Sequence, residues 1–209
     1  IKDEKLFFII GDVSGKGVPA SLVMAVTCRL FRSVASYLDN SEDIMTSLNS
    51  SLSDGNESNM FCTAFIGVLD LKSGELEYCN AGHNAPVILT QSGEVQFMKV
   101  VPNLPLGLFC GFPYEGQECV IEKGSSIFLY TDGVTEAENA EKELYSDERM
   151  LQQLNVLRSE NTHEVIDALL KDIVPTAVEL TFCGGEAEAL AALANKVLAK
   201  YANEPQDKL

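Results

Sequence analysis

The stretch Leu6-Phe7-Phe8-Ile9-Ile10-Gly11-Asp12-Val13-Ser14-Gly15-Lys16-Gly17-Val18-Pro19-Ala20 decides the reading of this chain. Leu6 to Ile10 is a continuous apolar run, the pattern of a buried strand. Gly11-Asp12 ends the run. Gly17-Val18-Pro19-Ala20 then opens a long helix, in whose first turn proline is tolerated because its missing N–H would have had no partner. A second apolar run, Ser126-Ile127-Phe128-Leu129-Tyr130, ends in the same way at Thr131-Asp132-Gly133. An aspartate at the mouth of a strand, close to glycine, suits a hard divalent cation. The sheet fixes the oxygen ligand, and the glycine lets backbone and water approach. Two such ends point to a metal-dependent hydrolase. The competing reading is turn capping, since Asp-x-Ser and Asp-Gly are ordinary turn formers.

Composition narrows the function classes. The chain has 209 residues, 46% of them hydrophobic, enough to bury one substantial core. A formal charge of −16 with no basic cluster argues against binding nucleic-acid phosphates, and it repels free anionic substrates unless bound cations reverse the sign locally. Most of the acid is expected to be a solvated face. No apolar run is long enough to span a bilayer, so no membrane contact is expected of this segment. The opening Ile1-Lys2-Asp3-Glu4-Lys5 has no signal-peptide body. The six cysteines, Cys28, Cys62, Cys79, Cys110, Cys119 and Cys183, have no CxxC spacing. Together these features predict a reducing, cytoplasmic setting without disulfides.

Along the chain, the periodicity predicts a helix from Gly17 to about Tyr37, with Leu22, Val23, Val26, Leu30, Val34 and Leu38 facing the core. A second helix runs from Ser41 to about Leu52, followed by the polar loop Ser53 to Asn59. Strands are expected at Cys62–Leu69, Leu76–Asn80, Ala85–Thr90, Val95–Met98, Gln117–Ile121 and Ser126–Tyr130, with tight connections at Lys72-Ser73-Gly74 and Gln91-Ser92-Gly93-Glu94. Helices follow at Asp147–Leu157 and Thr162–Val174. Val178–Phe182 alternates like a strand, and Glu186 to about Tyr201 is an amphipathic helix with Leu190, Leu193, Val197 and Tyr201 on one face. A strand-rich middle between helical layers favours an α/β sandwich over a parallel three-layer fold.

Other chemistries find less support. Gly11 to Gly17 lacks the GxxxxGK[ST] spacing of a phosphate-binding loop, because Lys16 is followed by Gly17. His83, in Asn80-Ala81-Gly82-His83-Asn84, is suited to proton transfer or a phosphate contact, but taken alone it reads better as a structural histidine holding its turn. His163 reads as a surface residue. Ser14 and Thr131 have no visible triad partners, and no zinc-type ligand spacing is present.

Taken in order, the blocks Gly11-Asp12-Val13-Ser14-Gly15-Lys16-Gly17-Val18-Pro19-Ala20, Gly67-Val68-Leu69-Asp70, Leu76-Glu77-Tyr78-Cys79-Asn80-Ala81-Gly82-His83-Asn84-Ala85-Pro86, Leu104-Pro105-Leu106-Gly107 and Leu129-Tyr130-Thr131-Asp132-Gly133-Val134-Thr135-Glu136-Ala137 carry a resemblance. From Leu6 to Val174 the chain resembles bacterial PP2C-like serine/threonine phosphatases of the SpoIIE/RsbU type. The resemblance implies a four-layer α/β/β/α sandwich with two central, mainly antiparallel sheets and a two-metal manganese or magnesium centre. By position, Asp12 and Asp132 become metal ligands and catalytic residues. Val13 supplies a backbone carbonyl, and Gly11, Gly133 and His83 lie near the site.

The implied substrate is a phosphoserine or phosphothreonine on a STAS-type anti-sigma-factor antagonist, hydrolysed by a metal-activated water. An upstream sensory or receiver domain and homodimerisation are implied as well. The expected layout is a phosphatase domain over 1–183, continuing upstream of Ile1, and a C-terminal helix and tail over 184–209 packed on it. Two departures stand out. One acidic ligand of the family falls upstream of Ile1, and Val178–Phe182 lacks the paired aspartates that usually open the family's last strand. Alternative functions are a non-catalytic interaction module on the same fold and a hydrolase of small phosphate esters.

Overall fold

A computed structural model of the chain describes residues 1–157 and 161–173. The strand at Val178–Phe182, the helix at Glu186–Tyr201 and the 183/184 boundary lie outside the described residues. In chain order the elements are β1 (Lys5–Val13), α1 (Val18–Val34), α2 (Ser41–Ser53), β2 (Cys62–Asp70), β3 (Glu75–Ala81), β4 (Val87–Leu89), β5 (Val95–Phe97), β6 (Gln117–Val120), β7 (Ser126–Phe128), α3 (Asp132–Thr135), α4 (Asp147–Leu157) and α5 (Thr162–Ile173). They form two compact units. One comprises Ile1–Ala85 and Lys99–Ile121; the other comprises Pro86–Met98 and the described residues from Glu122 to Ile173.

The first unit is built on a four-stranded antiparallel sheet in the order β1-β2-β3-β6. β2 is its centre, and apart from Thr63 and the terminal Asp70 all its residues are buried. Strand parity divides those residues between two faces. Cys62, Ala64, Ile66 and Val68 pack with Phe31 and Val34 of α1 and Ile44, Met45 and Leu48 of α2. On the opposite face Phe65 stacks with Phe8 of β1 and Tyr78 of β3, at centroid distances of 6.3 and 5.6 Å. Gly67 makes room for that ladder: it is the register partner of Phe8, and a Cβ there would lie 2.3 Å from the Phe8 ring. α2 is capped by Asn40, whose side chain accepts from the Asp43 N–H at 2.7 Å.

The second unit has a three-stranded antiparallel sheet in the order β5-β4-β7. Its core joins Val87 and Leu89 of β4 to Met150 and Leu154 of α4 and Val165, Leu169 and Ile173 of α5. The α5 residues recur at i, i+4 and i+8, a single helical face. Asn161 begins α5 with a capping box, its side chain accepting from the Glu164 N–H at 3.1 Å while Glu164 accepts from the Asn161 N–H at 3.4 Å. The observed class is therefore α/β, with two antiparallel sheets and flanking helices.

Several expectations need correction. Leu22 and Val26 do not face the core; they are 62% and 50% exposed. The seam of α1 runs instead through Thr27, Phe31 and Val34, with Val23 and Leu30 partly buried beside it. One residue on a helix is a rotation of about 100°, so the Val18-Leu22-Val26 stripe turns away from the sheet. α1 also ends at Val34 rather than near Tyr37, where the Ser36 hydroxyl donates to the Ser33 carbonyl at 2.6 Å. β1 continues through Gly11, Asp12 and Val13, so Asp12 lies within the ladder rather than beyond it. β6 and β7, neighbours in sequence, join different sheets.

One polar cluster braces the second unit. Arg149 of α4 makes a bidentate pair with Asp172 of α5, through Nε at 3.2 Å and Nη2 at 2.9 Å. The buried Tyr145 donates its hydroxyl to the same carboxylate at 2.7 Å, and the guanidinium lies 4.8 Å from the Tyr145 ring centroid. Hydrogen bonding to Arg149, aided by Tyr145, holds the Asp172 carboxyl below the usual carboxylate range. A depressed folded-state pKa stabilises the fold above the unfolded value, near 4, and that contribution disappears as pH falls through the folded value. Asp172→Ala is expected to lower stability at pH 7 by on the order of 1–3 kcal/mol. It is also expected to flatten the acid limb of a melting-temperature profile, below the unfolded carboxylate value near 4. An unchanged acid limb would show that the brace is energetically idle.

Candidate metal-binding site

The site in the first unit begins with strand parity. Val13 pairs with Cys62 on the helix-covered face, so Asp12, paired with Thr63, belongs to the face that carries Phe8 and Phe65. The antiparallel register thus turns the Asp12 carboxylate away from α1 and α2. Beyond β1 the backbone is held at Ser14, whose N–H donates to the Phe61 carbonyl and whose hydroxyl accepts from the Phe61 N–H, both at 2.9 Å. Ser14 therefore closes the end of the ladder. Gly15 and Gly17 follow at φ +89° and +76°, values that L-residues adopt at a cost, and they lead the chain into α1.

Gly11 serves close approach. Its φ is ordinary, but a Cβ would lie 2.5 Å from the Thr63 carbonyl oxygen and 3.3 Å from the Cys62 sulfur. Cys62 is itself buried, and burial, with a smaller contribution from the Asp12 charge, pushes its thiol up to about 12. At neutral pH it is a neutral S–H, neither a nucleophile nor a soft-metal ligand. The oxygen donors of Asp12 and the Val13 carbonyl are left as the local metal-binding chemistry, which matches a hard cation in kind.

Two residues give this region its shape without having been singled out as site residues. Thr63, on the same face as Asp12, places its hydroxyl 3.3 Å from the Asp12 carbonyl and 3.0 Å from Nδ1 of His83. Asn80 clamps the His83 turn with its side chain: Oδ1 accepts from the His83 N–H at 2.8 Å and Nδ2 donates to the His83 carbonyl at 2.9 Å. The intervening Gly82 is at φ +70°. His83 is only 6% exposed, as befits a histidine holding its turn. Asp12 and His83 are therefore joined through one residue, Thr63. Cross-strand pairing was the signal that could have found it, because an Asp-bearing strand end needs a partner strand.

The Leu104-Pro105-Leu106-Gly107 block is also structural. Leu106 exchanges two backbone hydrogen bonds with Cys62, at 2.8 and 3.0 Å, which fastens this loop to the start of β2. Asn49 of α2 accepts from the Gly107 N–H and donates to the Phe109 carbonyl, both at 2.9 Å.

In the second unit Asp132 is the first residue of the one-turn helix α3, and Gly133 is the second. Thr131 caps the turn in extended conformation, and the Glu136 N–H donates to the Asp132 carbonyl at 2.7 Å. The Asp132 residue is exposed. Lys16 and His163 are exposed as well. Among the described residues, no group of three or more His, Cys, Asp and Glu side chains is arranged to hold a metal ion. Each unit therefore offers one carboxylate of the expected set, with oxygen donors of the right type.

Comparison with known proteins then places the chain. Residues 2–188 match the family model of stage II sporulation protein E, SpoIIE. Protein IcfG of Synechocystis sp. is 27% identical over 199 residues, covering 82% of this chain and 31% of that protein. The phosphoserine phosphatase RsbU of Bacillus subtilis is 28% identical over 137 residues, covering 65% of this chain and 41% of RsbU. The chain thus spans well under half the length of these curated relatives. Among solved structures, the RsbU and RsbW domains of Rv1364c from Mycobacterium tuberculosis superpose with a TM-score of 0.69 at 26% identity, covering 81% of this chain and 48% of that one.

The close approach at Gly11 yields a direct test. Gly11→Ala drives a methyl group against backbone rather than a yielding side chain, so β1 and β2 must separate at the site. A loss of about 1–3 kcal/mol is expected in urea unfolding. An unchanged midpoint would show that the strands part there without cost.

Proposed function

The chain belongs to the SpoIIE family of PP2C-like phosphatase domains, and on that footing we propose that it is a metal-dependent protein phosphatase. Its substrate would be a phosphoserine or phosphothreonine on a regulatory protein of the cytoplasm, a STAS-type anti-sigma-factor antagonist. The observation that carries the reading is Asp12: a carboxylate locked in an antiparallel ladder, on the sheet face opposite α1 and α2, followed by glycines that let the chain turn sharply. The naming of a similar protein as a phosphoserine phosphatase supports the substrate class.

Asp12 and Asp132 would hold manganese or magnesium through carboxylate oxygens, with the Val13 carbonyl as a neutral donor. When bound, such ions supply Lewis acidity that activates water and offsets phosphoryl charge. The remaining work belongs to the chain. The β1–β2 ladder fixes the Asp12 backbone, the Ser14–Phe61 pair closes the strand end, and α3 presents Asp132 from its first turn. In the net reaction the bond from phosphorus to the protein hydroxyl oxygen breaks and a water oxygen takes its place. Control by an upstream sensory or receiver domain, and pairing of two copies, belong to the same proposal. So does a domain layout in which 1–183 forms the phosphatase and 184–209 a packed tail.

The test is phosphate release from a serine-phosphorylated STAS-type protein with and without manganese. Release is expected to require the metal. Asp12→Asn and Asp132→Asn are each expected to slow it by about 100-fold or more, the several kcal/mol that such an ion contributes to transition-state stabilisation. Wild-type rates in both variants would refute the assignment. Manganese binding without turnover would indicate an interaction module, and turnover of small phosphate esters alone would indicate a different hydrolase.

A further inference from the structure

We infer that the outer face of α1, with the loop at 104–109, is a docking surface for an acidic, amphipathic helix of the protein that carries the phosphate. That role rests on the phosphatase reading of the Asp12 site. The starting observation is where negative charge is missing. The chain carries 31 aspartates and glutamates, yet its two longest stretches without one are 13–38 and 95–114. Among the described residues eleven large hydrophobic side chains are exposed, and seven of them fall in those two stretches. The stretches hold less than a third of the described residues, so exposed apolar surface is concentrated where acid is absent. A surface patch of this kind marks an interaction site.

Helical geometry arranges the first stretch. Val18, Leu22 and Val26 recur at i, i+4 and i+8, with Val18 the most open at 73% exposure. Arg29, about three turns beyond Val18, falls on the same line. Arg32 flanks that line and Lys16 precedes the helix. All three cations are exposed, and among the described residues none makes an ion pair. α1 has no carboxylate of its own. The second stretch adds exposed Leu104, Leu108 and Phe109. Asn49 holds this loop through the Gly107 N–H and the Phe109 carbonyl, so its side chains are presented from a fastened backbone. A surface ordered in advance loses less entropy on association.

The two stretches meet beside Asp12. Met60 lies between them: a Cβ at Gly15 would be 3.9 Å from its methyl group, and one at Gly107 would be 3.1 Å from its carbonyl oxygen. Leu106 is bonded to Cys62, the register partner of Val13. The apolar line therefore starts at the strand end that carries Asp12 and continues along α1.

Charge decides the occupant. An apolar line accompanied by cations fits a helix whose own apolar line is accompanied by aspartate or glutamate. The rest of a chain at −16 repels such a partner, so this face is where an acidic protein is admitted. A second copy fits less well, because isologous pairing joins two faces that hold only cations. Position decides which partner it is. A protein seated on a surface that starts at Asp12 brings its phosphorylated residue to the site, and the phosphate adds to its negative charge.

The test uses the full chain and a serine-phosphorylated STAS-type protein. Binding is measured by calorimetry without manganese, which separates docking from metal loading. Leu22→Asp and Arg29→Glu are each expected to raise Kd by about 10-fold or more, as central interface side chains do. Val156→Asp, at an exposed position of α4, is expected to leave Kd at its wild-type value. With manganese present, KM for phosphate release is expected to rise in both α1 variants by the same factor, with kcat retained. All three positions are exposed, so unchanged melting temperatures are expected.

Wild-type Kd and KM in both α1 variants overturn the docking surface while leaving the phosphatase reading intact. Absence of any binding by the wild-type chain overturns it too. A loss in Leu22→Asp with none in Arg29→Glu overturns the acidic character of the occupant. A wild-type dimer that Leu22→Asp dissolves, with Kd unchanged, assigns the face to a second copy and overturns the assignment. Binding that weakens in both variants, with no phosphate released in manganese, supports the docking surface and defeats the phosphatase reading instead.

Discussion

Register between β1 and β2 is the constraint on which the candidate site depends. Pairing Asp12 with Thr63 sets more than a hydrogen-bond count. Side chains alternate along a strand, so a slip of one residue would send Asp12 into the helix-covered core and bring Val13 out to the other face. Burial of Val13, Cys62, Ala64 and Ile66 against α1 and α2 opposes that slip, because a charged carboxylate would have to enter the space they fill. Hydrophobic burial on one face thus fixes the chemistry on the other. Gly11 and Gly67 sharpen the same register: the first where strand backbones meet too closely for a Cβ, the second where the Phe8 ring crosses the ladder.

Away from the ladders, asparagine does the fastening. Asn80 holds the His83 turn, Asn103 ties Asn80 to Glu115, Asn49 holds Gly107 and Phe109, and Asn56 donates to the carbonyls of Met60 and Gly107. Each of these loops carries backbone groups with no strand to pair with, and buried backbone groups must find partners. An amide side chain can both donate and accept, so one residue satisfies a turn from both sides. Replacing such a residue leaves two orphaned backbone groups, a larger loss than a single surface hydrogen bond. Loop geometry near Asp12 is consequently set by side chains remote from it in sequence.

These two devices also explain what was legible in the sequence and what was not. Long elements were readable from pattern: α4 matches Asp147–Leu157, α2 differs by one residue at its end, and β2 and β3 fall where apolar runs and Lys72-Ser73-Gly74 put them. Local periodicity is sufficient for such segments. The face of α1 was misread at Leu22 and Val26, because its apolar arc is wider than the surface the sheet covers and sequence does not say which edge is used. Similarly, β6 and β7 are neighbours in sequence, and only tertiary pairing sends them to different sheets. Within the candidate site, Asp12 was visible from its strand-and-glycine setting. Thr63 was not, since its importance comes from a register partner 51 residues away.

Charge imposes a final condition on any phosphomonoester chemistry here. At −16 the chain repels a phosphate dianion, but in physiological salt charges separated by more than about 8 Å are largely screened. What a phosphate meets at the site is therefore decided by the few groups within that radius rather than by the whole surface. A lone carboxylate there is an obstacle, adding repulsion at the point of reaction. A divalent cation held by the same carboxylate leaves a net positive centre, so the residue that would exclude the substrate becomes the one that anchors it. An acidic protein with a hard-cation site is for this reason selective by loading state: metal occupancy governs both chemistry and electrostatic access, and the scaffold must hold a carboxylate such as Asp12 in place before the ion arrives. The buried ladder and the asparagine clamps are suited to that task, because neither depends on the charge state of the site.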